Sequence, residues 1–226
     1  MISLEQITKT YGSGEAATHV LHPLDLHIEQ GEFVAIMGPS GSGKSTLLNL
    51  LGALDVPSGG RYRFENTDLG TLSPDQRALF RRYVLGFVFQ GFNLLKRTSA
   101  LENVEMPLIY QGVPAAQRRK RALEALESVG LSERTGYDPG RLSGGQQQRV
   151  AIARAIVTQP QVLIADEPTG NLDTPRGHEI MQLIRGFNRA GITVIMVTHE
   201  AEIAAYASRT IVLRDGRIEQ DDRRVS

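Results

Sequence analysis

Apolar and polar residues change period several times along this chain, and each change predicts an element. Leu24, Leu26 and Ile28 alternate with Asp25, His27 and Glu29, the period of two expected of a strand with one buried face. That pattern makes residues 1–34 strand-rich and suits an antiparallel sheet. Residues 32–37, 162–165 and 192–197 are instead nearly continuous apolar runs, which is how strands covered on both faces of a parallel sheet read. From 90 to 140 the spacing turns helical, punctuated by Pro107, Pro114 and Pro139, and a further helix is expected over 146–158. Residues 210–219 read as a hairpin about Asp215-Gly216, the strongest short turn signal. The expected class is α/β: a core with a mostly parallel sheet, an N-terminal antiparallel β subdomain and an inserted α-helical subdomain. The expected organisation is one domain over 1–226, with 1–89 and 141–226 forming the core and its antiparallel part and 90–140 the helical insertion.

The ends of the apolar runs carry the chemistry. Directly after residue 37 comes Gly38-Pro39-Ser40-Gly41-Ser42-Gly43-Lys44-Ser45, the full P-loop template, and an apolar helix start follows from Thr46. Glycines let the backbone curl so that N–H groups point inward at phosphates, and the helix N-terminus adds partial positive charge. Lys44 is then expected to reach the β- and γ-phosphates of a nucleotide such as ATP, and Ser45 to ligate Mg²⁺. The run at 162–165 ends in Asp166-Glu167, where open parallel sheets hold their ligands. Asp166 fits a metal-holding acid, and Glu167 is placed to align and polarise an attacking water. The run at 192–197 ends in Thr198-His199, which makes His199 a candidate γ-phosphate contact. Between these segments lies Leu142-Ser143-Gly144-Gly145-Gln146; alone it is a Ser/Gly turn before a helix, at whose N-terminus an anion could sit.

Taken together these motifs resemble the nucleotide-binding domain of an ATP-binding cassette (ABC) transporter, over nearly the whole chain from Tyr11 to about Gly216. The resemblance implies an ATP hydrolase. It implies that Tyr11 stacks on adenine, that Gln90 touches Mg²⁺ and the attacking water, and that Leu142 to Gln146 form the signature loop. It also makes Asp173, in Gly170-Asn171-Leu172-Asp173, the subunit-crossing aspartate and His199 the switch histidine. Asn171 stands where alanine or serine is common in the family. Residues 87–95, 101–108 and 142–149 resemble the bacterial group of macrolide-exporter, lipoprotein-release and cell-division ATPases. That likeness implies an integral membrane permease partner with a periplasmic domain, and a lipid-like, lipoprotein or macrolide-type substrate. A mechanical regulator of cell-wall enzymes stays open as an alternative.

Composition narrows the reading further. Net charge is zero over 226 residues, 41% of them hydrophobic, so a substantial core is expected and no broad basic surface for nucleic acid is offered. The basic run Arg118-Arg119-Lys120-Arg121 reads as the solvated face of a helix whose other face carries Leu123, Leu126 and Val129. A DNA-repair ATPase with the same head would need a long coiled-coil or zinc-bearing insertion, and the interval before the signature has ordinary length and no cysteine. Without cysteine, disulfides and thiolate metal sites drop out. With no signal peptide and no apolar run near ~20 residues, the chain is expected in the cytoplasm, held peripherally at the inner face of a bacterial membrane by its partner.

A signature loop on an inserted lobe has no evident route to the phosphates held by its own P-loop. The economical solution is a two-fold dimer, of identical chains, in which Ser143 and Gly145 of one chain reach the γ-phosphate held by the other. Phe92, Leu94, Leu95 and Met106, near the start of the lobe, are expected to be part lobe core and part docking surface for the membrane partner.

Overall fold

The computed structural model describes residues 1–224. Its elements in chain order are β1 (Ile2–Tyr11), β2 (Thr18–Ile28), β3 (Phe33–Met37), α1 (Lys44–Leu51), β4 (Gly59–Phe64), β5 (Thr67–Asp68), α2 (Pro74–Val84) and β6 (Leu85–Phe89). Next come α3 (Ala100–Tyr110), α4 (Ala115–Ser128), α5 (Gly144–Ile156), β7 (Val162–Asp166), α6 (Thr174–Arg189), β8 (Thr193–Val197), α7 (Ala201–Ala204), β9 (Arg209–Arg214) and β10 (Arg217–Arg223). They form two compact units, one of residues 1–81 with the segment from 193 on, the other of residues 82–192.

In the first unit an antiparallel sheet runs in the order β2-β1-β4-β5. Ile2 and Leu4 pair with Ile28 and Leu26 on one side and with Phe64 and Tyr62 on the other, and all six are buried. The alternation read from Leu24 to Ile28 is therefore the inner face of β2. β1 breaks register between Leu4 and Ile7, because Gln6 adopts φ 49° and turns its N–H to Asp25 Oδ1 at 2.8 Å. Gly60 lies opposite: a Cβ there would come within 2.2 Å of Gln6 O, so the bulge requires glycine at that point.

The same unit carries β3 between β8 and β9, parallel to both, with β10 antiparallel on β9. Val34, Ala35 and Ile36 are wholly buried, as a doubly covered strand must be. The β9–β10 turn is Asp215-Gly216, with φ 46° and 69°, the two positive values that a tight hairpin of matching twist needs.

In the second unit β6 and β7 pair in parallel, and α3, α4 and α5 pack together around Val104, Leu108, Leu126, Val150 and Ile152, all of them wholly buried. Gly86 lets α5 approach β6, since a Cβ there would meet Ala155 O at 2.5 Å. Pro114 and Pro139 punctuate the region by standing at helix starts, but Pro107 lies inside α3 without ending it. On α4 the apolar face is Ala122, Ala125 and Leu126, while Leu123 is 39% exposed. Of the expected face Leu126 and Val129 are thus buried, and Leu123 alone departs from it. The structure has the α/β class read from the sequence, with a parallel core, an antiparallel β part and a helical insertion.

Candidate functional site

Parallel strands β3 and β8 are neighbours, Ile36 facing Val197, so the segments after them emerge at one edge: the P-loop after β3 and His199 after β8. Thr198 N–H donates to Ile36 O at 3.2 Å, which fixes that register, and His199 is exposed beyond it. In the loop Gly38, Gly41 and Gly43 have φ 147°, 79° and 100°. A Cβ on Gly38 would come within 2.1 Å of Leu213 O and one on Gly43 within 2.7 Å of Leu21 Cδ2, so both are fixed by space as well as by dihedral. Gly43 is the N-cap of α1 and no side chain caps it, whereas Ser99, Ser143 and Asp173 cap α3, α5 and α6. The first N–H groups of α1 have no acceptor one turn back, and this helix start alone among those four is left open to an outside anion.

Lys44 folds back over the loop, donating to Gly38 O and Pro39 O at 2.8 Å each. Ser42 is 2% exposed and its hydroxyl has no protein partner. Pro39, Ser40, Gly41 and Ser45 are exposed, with Thr46 half-buried at the start of α1. A glycine-rich loop at an uncapped helix start, with one cation above it, fits a polyphosphate. Tyr11 ends β1 with 42% of its surface exposed, its hydroxyl donating to Asp55 Oδ2 at 2.8 Å. Burial and the Asp55 carboxylate raise the phenol pKa, so it stays a donor.

In the second unit Phe89 faces Asp166 across β6 and β7, which sets Gln90, Asp166 and Glu167 at one strand edge. Glu167 has φ 44°, a conformation that costs a non-glycine residue about 1–3 kcal/mol and recurs at functional sites. Gln90 lies against Gly170, where a Cβ would stand 2.6 Å from its Nε2. Asn171, the departure from the family's usual small residue, donates from Nδ2 to Gln90 O at 2.9 Å. It ties the segment before Asp173 to the backbone of Gln90.

Ser143 caps α5 in a reciprocal box with Gln146: Gln146 N–H donates to Ser143 Oγ at 3.3 Å and Ser143 N–H to Gln146 Oε1 at 3.0 Å. The Ser143 oxygen is thereby an acceptor, and its O–H remains able to donate outward. Leu142 is buried beneath the loop. Gly144 and Gly145 are closely approached by Leu172 and Arg176, so the signature backbone and the Asp173 segment are in contact. Asp173 caps α6 and pairs with Arg176 at 2.8 Å. A cleft of about 300 Å³ opens beside Ser143, Gly145 and Gln146, with Arg149 and Arg176 in its wall.

Three supports are not legible in the sequence. Arg154 donates to Phe92 O at 2.9 Å and Asn93 O at 2.6 Å, holding two residues at φ 60° and 50°; burial lowers its pKa. Gln148, wholly buried, donates to Pro168 O at 2.6 Å, one residue past Glu167. Lys9 and Asp55 form a part-buried ion pair under Tyr11. In sequence Gln148 and Arg154 read only as polar positions on a predicted helix. Of the apolar four, none is fully buried: Phe92, Leu94 and Met106 are half-buried and Leu95 is 45% exposed, so the expected core half is absent.

A P-loop with an open helix start, acids at a parallel strand end and a serine-capped signature helix define an ATP-binding cassette. The chain matches the ABC transporter family over residues 21–170 and belongs to it; it is an ATPase of that class.

Among its relatives is the macrolide export ATP-binding/permease protein MacB of Brucella melitensis, 52% identical over 98% of this chain. The chain spans only 34% of that relative's length. An uncharacterized ABC transporter ATP-binding protein of Methanocaldococcus jannaschii, MJ1508, is also 52% identical, over 96% of this chain and 97% of its own. Of solved structures, a dimeric post-hydrolysis state of the ATP-binding cassette MJ0796 bound to ADP and Pi superposes with TM-score 0.91 at 45% identity, covering all of both chains. The cbiO1 protein of Clostridium perfringens, part of the ABC transporter complex cbiONQ, gives 0.89 at 33% identity over 98% of this chain and 88% of its own.

Proposed function

We propose that two copies of this chain close head to tail around ATP and Mg²⁺, hydrolyse the nucleotide, and so drive motion in a membrane permease. The observation that carries this is the uncapped start of α1 beneath Lys44, a cradle for phosphate with no acceptor of its own. N–H groups from Gly38 through Thr46, with Pro39, Ser40 and Ser42 shaping the loop, hold the β- and γ-phosphates. Lys44 exchanges its two carbonyl acceptors for phosphate oxygens, and Tyr11 stacks on adenine. Ser45, Asp166 and Gln90 would hold Mg²⁺, which supplies charge neutralisation across the phosphates. Few protein ligands are expected, because magnesium keeps waters and phosphate oxygens in its shell.

Glu167 accepts a proton from the attacking water while the water oxygen bonds to Pγ and the Pγ–Oβγ bond breaks, giving ADP and inorganic phosphate. His199 contacts the γ-phosphate and Gln90 the water. Leu142 to Gln146 come from the second copy, Ser143 donating its free O–H, and Asp173 crosses between copies. The dimer named in the MJ0796 structure supports this reading, as does the joining of ATP-binding and permease functions in MacB. The chain then acts at the cytoplasmic face, bound to a permease with a periplasmic domain through the exposed surface at Leu95, Ile109 and Tyr110. A lipid-like, lipoprotein or macrolide-type molecule is the cargo.

The test is Glu167→Gln, which should lower turnover by roughly 10²–10⁴-fold, the scale of a positioned acid–base group. ATP binding should persist, and a dimer twice the mass of one chain should accumulate with ATP in light scattering. Near-normal hydrolysis would remove Glu167 from this role.

A further inference from the structure

Tyr11 is tethered more firmly than a surface aromatic requires. Its phenol donates to Asp55 Oδ2 at 2.8 Å, while Asp55 Oδ1 accepts from Lys9 Nζ at 2.6 Å and from the Val56 N–H at 2.7 Å. Lys9 Nζ donates in addition to Val56 O at 2.7 Å. Lys9 is 7% exposed and Tyr11 42%, so a sheltered ion pair supports an open ring. The ammonium stands 4.7 Å from the ring centroid, over one face, the geometry of a cation–π contact. Asp55 itself is fixed to the end of α1, its N–H and that of Leu54 both donating to Asn49 O, at 3.2 and 2.9 Å. The contacts thus run without a gap from the phenol to the helix that opens at the P-loop.

A hydrophobic pair of similar volume would serve burial at Lys9 equally well; what the ion pair adds is direction. We propose that Asp55, with Lys9, is a positioning residue for base recognition. It holds the Tyr11 ring at one angle relative to α1 with the ammonium on one face, so that the other face receives a purine whose phosphates lie in the P-loop. This rests on Tyr11 being the stacking aromatic. A platform already fixed when nucleotide arrives loses less side-chain freedom on binding, and the resulting gain belongs to the base alone.

Equilibrium binding of ADP and of inorganic pyrophosphate to the full chain, both with magnesium, separates base from phosphate. Asp55→Ala should weaken ADP by about five- to tenfold, the lower range for one base on one aromatic, and leave pyrophosphate within about twofold. Tyr11→Phe keeps the ring and removes the tether, so it should weaken ADP similarly, and adding Asp55→Asn to it should change little more. Equal loss of both ligands in Asp55→Ala would show a loosened α1 and overturn the proposal. Unchanged ADP affinity in Asp55→Ala, where Tyr11→Ala has lost it, would overturn the proposal and leave stacking intact. Unchanged ADP affinity in Tyr11→Ala would remove the stacking reading itself. If Asp55→Ala does not fold by circular dichroism, Asp55→Asn and Tyr11→Phe carry the same comparison.

Discussion

Lys44 takes its two hydrogen bonds from carbonyls of its own loop, Gly38 O and Pro39 O, and a charged donor so placed is poised rather than consumed. Truncating it should remove charge-assisted bonds to phosphate worth about 1.5–3 kcal/mol. Lys44→Ala is therefore expected to weaken ATP by about 10–100-fold in a titration, with its circular dichroism unchanged. An affinity within about twofold of the parent chain would mean that the backbone cradle alone binds the nucleotide. This loop is legible in the sequence because its geometry is local: three glycines, a lysine and a serine at fixed spacing dictate the turn whatever surrounds them. Asp55 is not legible. It meets Lys9 across 46 residues and Tyr11 across 44, and no short-range pattern records a contact at that separation. Asn171 reads in sequence only as a departure, and its bond to Gln90 O is what the side chain contributes.

At the scale of elements, α5 does more than present Ser143. Its far end carries Arg154, whose guanidinium closes on Phe92 O and Asn93 O, so the segment after Gln90 is fastened to the helix that starts at the signature. Arg154→Met keeps the length of the stem and strands both carbonyls. It should cost about 1–3 kcal/mol, the penalty for unsatisfied polar groups, and lower the thermal midpoint by roughly 2–4 °C for each of those. Circular dichroism melting checks this, and an unchanged midpoint would show that water replaces the guanidinium at no cost. The helical insertion itself is legible from period, since α3 and α4 each bury one face. The helix over Pro74–Val84 is not, for a physical reason: none of its residues is buried, so its apolar positions make no stripe. On α4 the expected Leu126 and Val129 are buried, and Leu123 alone turns outward, where Ala122 and Ala125, small and easily passed over, complete the inner face.

At the scale of the whole molecule, a buried cation adds to the β3–β9 pairing in tying the C-terminal hairpin to its unit. Arg209, 5% exposed, donates from Nε and Nη2 to the two oxygens of Asp221 at 2.6 and 2.7 Å, and from Nη1 to His27 O at 2.7 Å and to Glu32. The bond from Arg209 holds the Asp221 carboxyl below its usual range, against the opposing effect of burial. A depressed folded-state pKa adds stability that is present above the unfolded value and is lost as pH falls through the folded one. Asp221→Asn should therefore lower the urea midpoint at pH about 7 and lower it by less at pH about 3, under the ordinary carboxylate value. Equal losses at both pH values would place the contribution of Asp221 in packing and not in its charge.

Sharing of the site between two copies is the claim on which the rest depends. It is tested most directly by mixing two dead chains. Lys44→Ala lacks the phosphate cation, and Ser143→Arg blocks the signature by bulk and charge while leaving its own P-loop intact. In a mixed dimer one composite site retains both Lys44 and Ser143, so steady-state phosphate release should reappear on mixing and rise with total protein concentration. Demonstrated mixed dimers that release no phosphate above either variant alone would contradict a site completed independently by the second copy.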